Sequence, residues 1–399
     1  MSWPIVKLGE IFDIARGGSP RPIQNYITED PEGLNWIMIG DTKGDSKYIE
    51  RVAKKIKREG LGKTRQVQPG DFLLTNSMSF GRPYILKTSG CIHDGWLVLH
   101  PKSDNLYTDY FYYCLSSDAV YQKLSAKAAG AVVKNLNTAI VKELEVPLPP
   151  LPIQKQIAAL LEKADTLRSQ CKQMEQELNQ LAQSVFLEMF GDPVTNPKGW
   201  VQTPCKELCR QITVGIVVKP SSYYVNEGVP ALRSLNVREN RINDDNWVYF
   251  DSVLNETKLQ KTRVYKGDVV IVRSGQPGTA AVIPPEFDGV NAIDILIARP
   301  NAEQLNSLYL STFLNSVGGK RLVLSNERGQ IQKHLNVGEL GKALIPTPPI
   351  DKQAEYEIVF SEIEKAKLVN GEKLKRAEEQ FNSLMQTAFN GKLNLTKAA

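Results

Sequence analysis

The 399-residue sequence lacks several features that would assign it to a common class of protein. No apolar run reaches the roughly 18 residues that a membrane-spanning helix needs, and the start MSWPIVKLGE lacks the basic and apolar regions of a secretory signal. The five cysteines include no CxxC pair, and no histidine or second cysteine pair lies near Cys205 and Cys209 to complete a zinc site. We therefore expect a cytoplasmic protein with buried free thiols, without a membrane partner and without a metal site.

Motifs of nucleotide-dependent and methyl-transferring enzymes are also missing. The segment GLGKT (residues 60–64) does not complete a phosphate-binding loop, because Lys57 occupies the position of the first glycine and no apolar strand precedes it. The sequence has no DPPY-like or NPPF-like tetrapeptide and no glycine-rich cofactor loop. His93, His100 and His334 form no triad with a serine or cysteine nucleophile motif. We predict that the chain is not itself an enzyme.

Charge is distributed in blocks along the chain, whose formal net charge is +5. Residues 1–150 and residues 200–349 each carry +3, whereas residues 151–199 carry −1 and residues 350–399 are neutral. Two equally basic blocks are compatible with nucleic-acid binding but are not specific for it, because many enzymes are as basic. The hydrophobic content of 42% favours packed globular structure in these blocks.

An internal repeat with an offset of 197 to 199 residues organises the sequence. WPIVKLGEIFDI from Trp3 aligns with WVQTPCKELCRQ from Trp200, and both tryptophans are predicted core anchors. Residues 69–86 align with residues 266–283, and KNLNTAIVKELEVPLPP (134–150) aligns with KHLNVGELGKALIPTPP (333–349) without a gap. The identities between residues 69–86 and residues 266–283 are Gly70/Gly267, Asp71/Asp268, Ser77/Ser274 and Gly81/Gly278. The chain is therefore predicted to contain two similar halves.

A long helix is predicted after each proline-rich segment. In the first helix, apolar residues recur in a strict four-three alternation, which is typical of a coiled-coil seam. The seam positions are Ile153, Ile157, Leu160, Ala164, Leu167, Cys171, Met174, Leu178, Leu181 and Val185. The seam of the second helix consists of Tyr356, Phe360, Ile363, Leu374, Ala377, Phe381 and Leu384, with the polar residues Lys367 and Asn370. Gly191 and Gly391 are placed to cap the two helices.

These patterns predict an α+β fold in which two repeated mixed α/β domains are separated by two long antiparallel coiled-coil helices. The predicted domains are residues 1–150 and 193–349, and the predicted helices are residues 151–192 and 350–399. Strands are expected at GDFLLTN, GWLVLHP, GDVVIVR and DILIARP, and helical structure is expected at YTDYFYYCLSSDAVYQKL. The prolines before each helix are interpreted as a stiff joint, because proline fixes φ and is tolerated in the first turn of a helix.

The duplicated order of globular half, proline-rich segment and coiled-coil helix resembles the specificity subunits of type I restriction-modification enzymes. The resemblance covers the whole chain and depends on PLPPLPIQKQ and PTPPIDKQ, and on the similar helix ends SVFLEMFGDP and SLMQTAFNGK. It implies two target-recognition domains, at residues 1–150 and 193–349, that each read one half of a split double-stranded DNA sequence. The helices at residues 151–192 and 350–399 would then be spacers.

The resemblance further implies that the chain is a non-catalytic subunit. It would assemble with two modification (methyltransferase) subunits and, for cleavage, with restriction subunits. No cofactor is expected on this chain: S-adenosylmethionine would bind the modification subunit, and ATP and Mg would bind the restriction subunit. The repeat alone leaves an alternative open, namely a protein-interaction scaffold with duplicated binding domains.

Two loops that recur in both halves are candidates for contact with DNA, because base readout needs polar and basic side chains on loops that enter a groove. The loop after each GD strand supplies Thr75, Asn76, Ser77, Ser79 and Arg82 in the first half and Arg273, Ser274, Gln276 and Thr279 in the second. The loop before each proline segment supplies Lys134, Asn135, Arg328, Gln330, Gln332, Lys333 and His334. Further candidates are Arg16, Lys43, Lys219, Arg233 and Arg238. Each of these residues also has the simpler interpretation of a solvated turn.

Overall fold

A computed structural model of the chain describes residues 3–42, 46–76, 81–128, 136–325, 334–390 and 393. The chain divides into two compact units, and each is described by itself. The first unit comprises Met1–Lys172 and Glu372–Ala399, and the second comprises Gln173–Gly371. Each unit therefore contains one globular segment together with parts of both long helices. No helix in the described part of the chain is long and apolar enough to cross a membrane.

In the described residues, the first globular segment contains twelve strands and four α-helices, and the long helix α5 follows it. The strands are β1 (Ile5–Lys7), β2 (Phe12–Arg16), β3 (Ile27–Thr28), β4 (Leu34–Ile37), β5 (Tyr48–Ile49), β6 (Lys55–Ile56), β7 (Arg65–Val67), β8 (Phe72–Thr75), β9 (Pro83–Leu86), β10 (Gly90–Ile92), β11 (Trp96–Pro101) and β12 (Glu145–Pro147). The helices are α1 (Leu8–Ile11), α2 (Thr108–Leu115), α3 (Asp118–Ala128), α4 (Thr138–Lys142) and α5 (Leu151–Phe190). The strands form sheets of order β2-β11-β8-β9-β5, β3-β6-β4-β10-β7 and β1-β12.

The second globular segment repeats this plan. Its strands are β13 (Val201–Pro204), β14 (Cys209–Val214), β15 (Tyr224–Val225), β16 (Val229–Leu232), β17 (Val237–Arg238), β18 (Arg241–Ile242), β19 (Val248–Phe250), β20 (Val269–Val272), β21 (Ala280–Val282), β22 (Asn291–Ala292), β23 (Ile295–Pro300) and β24 (Leu344–Thr347). Its helices are α6 (Cys205–Leu208), α7 (Ser252–Glu256), α8 (Ser307–Asn315), α9 (Val317–Leu324), α10 (Val337–Lys342) and α11 (Ile350–Phe389). The sheet orders are β14-β23-β20-β21, β15-β19-β16-β22, β13-β24 and β17-β18.

The four strands predicted from Gly- and Pro-bounded apolar runs are confirmed as β8, β11, β20 and β23, and all four residues of β8 and of β20 are buried. Successive residues of β8 enter different cores: Phe72 and Leu74 pack with α2, whereas Leu73 packs with Trp96 on the opposite face. A sheet covered on both faces explains why these strands are continuous apolar runs rather than alternating ones.

The helical structure predicted at residues 107–124 is confirmed, and it is divided into two helices, α2 and α3. The helix ends at Ser116 and Ser117, where the Ser117 hydroxyl donates to the carbonyl of Cys114 at 2.7 Å. A serine hydroxyl that bonds to the nearby backbone competes with helical hydrogen bonding. Apolar periodicity on both sides of the break concealed it in the sequence.

Two glycine pairs that are identical in the repeat have positive φ angles. The φ angles are +93° at Gly70, +86° at Gly267, +75° at Gly81 and +85° at Gly278. An L side chain is strained in this region, so glycine is required in both copies. These identities therefore mark turns that have the same backbone conformation in both halves.

Both long helices are confirmed, but the seam of α5 was predicted correctly only in part. Ile157 and Cys171 are buried as predicted, whereas Leu167, Met174 and Leu181 are 46%, 46% and 47% exposed, so these three seam positions were wrong. Leu161 and Ala182, each one residue after a predicted position, are buried as well. Adjacent apolar residues such as Leu160 and Leu161 make such neighbouring positions indistinguishable from the pattern alone.

The seam of α11 was predicted correctly. The residues Tyr356, Phe360, Ile363, Asn370, Ala377 and Phe381 are buried, and Lys367, Leu374 and Leu384 are partly buried. In the first unit, Phe381 and Met385 share a core with Ile157 and Leu161 of α5. In the second unit, residues of α11 including Tyr356 pack with Phe186 and Phe190 of α5.

A buried glutamine joins each long helix to its globular segment. Gln154 accepts a hydrogen bond from Tyr107 N at 2.8 Å and donates to the carbonyls of Asn105 (3.1 Å) and Pro149 (2.8 Å). Its counterpart Gln353 makes the same three contacts, with Asn306 N at 2.8 Å, Gln304 O at 3.1 Å and Pro348 O at 2.7 Å. The two glutamines are 1% and 0% exposed. The joint interpreted from the prolines therefore also depends on a polar anchor that is repeated in both units.

Candidate nucleic-acid interface

Three segments that are distant in sequence meet in the second unit around Arg273, at the end of β20. The backbone carbonyl of Arg273 accepts from Leu335 N at 2.9 Å, which brings together the two loops predicted as candidates. Its guanidinium contacts Asp294 Oδ1 at 2.5 Å and His334 Nε2 at 2.9 Å. The Ser274 hydroxyl lies 2.7 Å from His334 Nδ1. Three of the predicted residues, Arg273, Ser274 and His334, therefore form one cluster with Asp294.

The imidazole of His334 is constrained by this geometry. A guanidinium can only donate hydrogen bonds, so Arg273 Nη2 is the donor towards His334 Nε2. The other ring nitrogen, Nδ1, faces Ser274 Oγ, so both edges of the ring are engaged. Arg273 is 14% exposed and Asp294 is 49% exposed. The cluster thus holds a pre-oriented arginine close to solvent.

The first unit places the corresponding segments around Asn76, at the end of β8. Asn76 O accepts from Leu136 N at 2.9 Å, and Asn76 Nδ2 donates to Asp94 O at 2.6 Å. Arg16 Nε donates to the same Asp94 carbonyl at 2.9 Å. The two predicted loops therefore meet in both units, beside an aspartate that precedes β11 or β23.

The Asp94 carboxylate is the centre of a polar and basic cluster. Ser19 Oγ donates to Asp94 Oδ1 at 2.7 Å, which lowers the pKa of this carboxyl below its ordinary value. Arg21 Nη2 lies 3.6 Å from Asp94 Oδ2, and its side chain is 82% exposed. Burial lowers the pKa of the neighbouring His93, whose Nδ1 accepts from Gly95 N at 2.8 Å. Trp96 N also donates to His93 O at 3.1 Å, so residues 93–96 form a turn.

Asparagine caps explain why the second loop recurs in both halves. Asn137 Oδ1 accepts from Ile140 N at 2.9 Å at the start of α4, and Asn336 Oδ1 accepts from Glu339 N at 3.0 Å at the start of α10. A side-chain oxygen at this position satisfies an amide that the helix leaves unpaired. The caps fix where each helix begins and thereby position Leu136 and Leu335 against the strand ends.

The predicted residues differ in accessibility. Those that are exposed are Arg16, Lys219, Arg238, Ser274, Gln276 and His334, and those that are partly buried are Arg82, Arg233 and Arg273. Nine predicted residues lie outside the described residues: Lys43, Ser77, Ser79, Lys134, Asn135, Arg328, Gln330, Gln332 and Lys333. The contact of any of these residues with DNA stays a prediction.

Three candidates are corrected by their burial. Thr75, Asn76 and Thr279 are 0%, 1% and 4% exposed, so their side chains do not present a surface to a ligand. Thr75 Oγ1 accepts from Arg82 N at 2.9 Å, and Thr279 N donates to Gln276 O at 3.3 Å. The polar side chain or backbone of these residues forms hydrogen bonds within the protein. Polar residues in loops often bond to nearby backbone in this way instead of contacting a ligand.

Two arginine candidates in the second unit have partners outside the Arg273 cluster. Arg233 donates from Nη2 to the carbonyl of Asn246, and Arg238 donates from Nη1 to the carbonyl of Val237 at 3.2 Å. Lys219, in contrast, is on a loop whose base contacts the cluster, because Asp294 N donates to Ile216 O at 3.1 Å. Lys219 has a φ of +45° and a ψ of 53°, which is unusual for a residue with a side chain.

Sequence reasoning missed the two aspartates, Asp94 and Asp294, and the residues Ser19 and Arg21 that contact the first of them. The repeat contains a signal for the aspartates. Each lies just before a strand, and the two strands correspond in the repeat, with Trp96 matching Ile295. The offset changes between this loop and its neighbours, which hid the correspondence. Within the described residues, no group of histidine, cysteine, aspartate and glutamate is arranged to hold a metal ion.

Known proteins resemble this chain in both sequence and fold. Residues 2–182 match the family model for a type I restriction modification DNA specificity domain. The MjaIX specificity subunit of Methanocaldococcus jannaschii is 23% identical over 87% of this chain and 83% of that protein. The EcoKI specificity subunit of Escherichia coli K12 is 22% identical over 98% of this chain and 89% of that protein.

Solved structures have the same fold at lower sequence identity. A chain from a type I R-M system has a TM-score of 0.61 at 19% identity, with 98% of both chains covered. The type I restriction-modification S subunit from M. genitalium has a TM-score of 0.55 at 15% identity, with coverage of 98% and 96%. The family match over residues 2–182, the curated relatives along most of the chain and the repeated fold all show that this chain is similar to the specificity subunits of type I restriction-modification enzymes.

Proposed function

We propose that each unit reads one half of a bipartite double-stranded DNA target through the cluster at the end of β8 or β20. The observation that supports this proposal best is that the same three segments meet in both units: a strand-end loop, the loop before a capped helix, and a loop with an aspartate. A chain with two equivalent readers matches a target with two half-sites.

The aspartates give the basic side chains a defined geometry before DNA arrives. Arg273 contacts Asp294, and Arg16 and Arg21 contact Asp94 through its carbonyl and carboxylate respectively. An arginine that is already oriented loses less conformational freedom when it binds guanine or phosphate. On binding, the phosphate or base edge takes the place of the carboxylate, and the same residue types then serve positioning or base readout.

Methyl transfer and cleavage belong to partner subunits in this proposal. Two modification subunits would transfer the methyl group from S-adenosylmethionine to adenine, and restriction subunits would use ATP and Mg to cleave DNA, all in the cytoplasm. The exposed side chains of Met174 and Leu181, seven residues apart on α5, offer an apolar surface within the second unit for a modification subunit. Leucine and methionine at helical spacing are suited to pack against a partner helix.

The test is the methylation pattern of a host that contains this chain and its modification subunit. The expected result is one split motif with an unread gap. Exchange of residues 193–349 for those of a relative should change one half of the motif and leave the other half intact. A continuous motif, or no motif, would contradict the proposal. A motif that does not respond to the exchange would favour the scaffold alternative.

A further inference from the structure

Two adjacent valines of the second unit extend into solvent on the loop after β14. Val217 is 50% exposed and Val218 is 77% exposed, and Lys219 follows them. Single exposed apolar side chains are common on protein surfaces, so exposure alone assigns no role to these residues. What distinguishes this pair is the part of the unit to which the loop is attached.

The base of the loop is fixed against the strands that hold the Arg273 cluster. Gly215 N donates to Ile295 O at 2.9 Å, and Ile216 N donates to Ala292 O at 2.8 Å. A Cβ atom on Gly215 would lie 2.3 Å from Ala292 O, so this close approach requires glycine. The valines therefore extend from an anchored backbone.

The loop and the Arg273 cluster share one residue. Ile216 O accepts from Asp294 N at 3.1 Å, and Asp294 Oδ1 accepts from Arg273 Nη1 at 2.5 Å. Val217 directly follows the residue that binds Asp294. Asp294 therefore links the backbone that bears the two exposed valines to the pre-oriented arginine of the second unit.

We propose that Val217 and Val218 read a thymine of the second unit's half-site by contacting its 5-methyl group in the major groove. This inference rests on the proposed function. The thymine methyl is an apolar group on the major-groove edge, where apolar side chains contact it. Valine is suited to this contact because its β-branched side chain is stiff and loses little rotamer freedom on binding. Lys219 and Arg273 would supply the polar and ionic contacts beside it.

The experiment replaces each thymine of the bipartite target, one at a time, by deoxyuridine, which removes the methyl group and leaves the hydrogen-bonding edge unchanged. Affinity of the assembled complex with the modification subunit is measured by fluorescence anisotropy. Loss of one buried methyl predicts a decrease of about three- to five-fold for one or two thymines, all in one half-site. The variant Val217→Ser/Val218→Ser, which removes all four methyl groups, should bind the thymine duplex less tightly and lose no further affinity on substitution.

A matched control is Val253→Ser, since Val253 is 68% exposed and lies on α7. This variant should retain the full sensitivity to deoxyuridine. The inference is overturned if no substitution weakens the wild type, if the half-sites contain no thymine, or if the double variant remains as sensitive as the wild type. Failure of the proposed function is recognised separately, because the wild-type complex would then recognise no split motif on unmodified DNA.

Discussion

Replacement of Gln154 by leucine should destabilise the first unit selectively. The substitution keeps a buried side chain of similar size but removes the amide that bonds to Tyr107 N, Asn105 O and Pro149 O. The same change at Gln353 removes three equivalent bonds from the second unit. The same substitution can therefore be tested at two equivalent positions, one in each unit.

The expected magnitude follows from the backbone groups that lose their partner. Pro149 O is fully buried, whereas Tyr107 N and Asn105 O are partly buried and can recover part of the loss through water. At about 1 kcal/mol for each group, Gln154→Leu should lower the unfolding free energy of the first unit by about 3 kcal/mol. Gln154→Glu should be worse at neutral pH, because a buried carboxylate would face two carbonyl oxygens, and should recover partly on acidification.

Hydrogen exchange followed by mass spectrometry separates the two units within the full chain. Gln154→Leu should increase exchange about a hundredfold in α2, and Gln353→Leu should do so in α8, since about 1.4 kcal/mol corresponds to a factor of ten. The control is Gln156→Leu, because Gln156 is exposed on the same helix and its substitution should change stability by no more than about 0.5 kcal/mol. If Gln154→Leu and Gln156→Leu gave equal exchange in α2, the glutamine would not be an anchor.

Three further predictions concern the site. If Arg273 reads a base, Arg273→Ala should relax specificity in one half-site by about 1–3 kcal/mol, whereas a phosphate contact would weaken all sequences alike; unchanged binding across salt concentrations would remove Arg273 from the interface. Burial lowers the pKa of His93, so the unfolded chain binds the proton first and the stability of the first unit should decrease as pH falls below about 6.5. His93→Gln should flatten this pH dependence in unfolding titrations, and an unchanged slope would contradict the assignment. Gly17→Ala places a Cβ 2.1 Å from His93 O and should cost about 2 kcal/mol in the first unit, whereas Gly40→Ala, with nothing within 4 Å, should be nearly neutral; equal unfolding midpoints would refute this.

The architecture was predictable because the duplication places the same turn and helix-start residues in both halves of the sequence. The matched glycines have positive φ in both units, and Asn137 and Asn336 cap equivalent helices, so the aligned identities mark real turns and helix starts. The seam of α5 was predictable only in part, because Leu160 and Leu161 are adjacent and either satisfies the apolar period. The break between α2 and α3 was hidden for a related reason, since hydrogen bonding by Ser117 leaves no trace in apolar periodicity.

The candidate site was predictable only in part. The two recurrent loops do meet in each unit, but the aspartates that complete the clusters come from a third segment that no local pattern connects to them. Thr75 and Thr279 were incorrect candidates for a different reason. Both are buried, and Thr75 accepts a hydrogen bond within its own loop. Residue type alone does not distinguish a side chain that faces solvent from one that bonds to its own backbone.

The division of the chain has a consequence for synthesis on the ribosome. Phe381 and Met385 belong to the core of the first unit, although nearly 200 residues of the second unit precede them in the chain. The amino-terminal reader therefore cannot complete its core until the last helix has left the exit tunnel, whereas the second unit is contiguous. A premature stop or frameshift within α11 would disable the reader that is translated first and leave its coding segment intact.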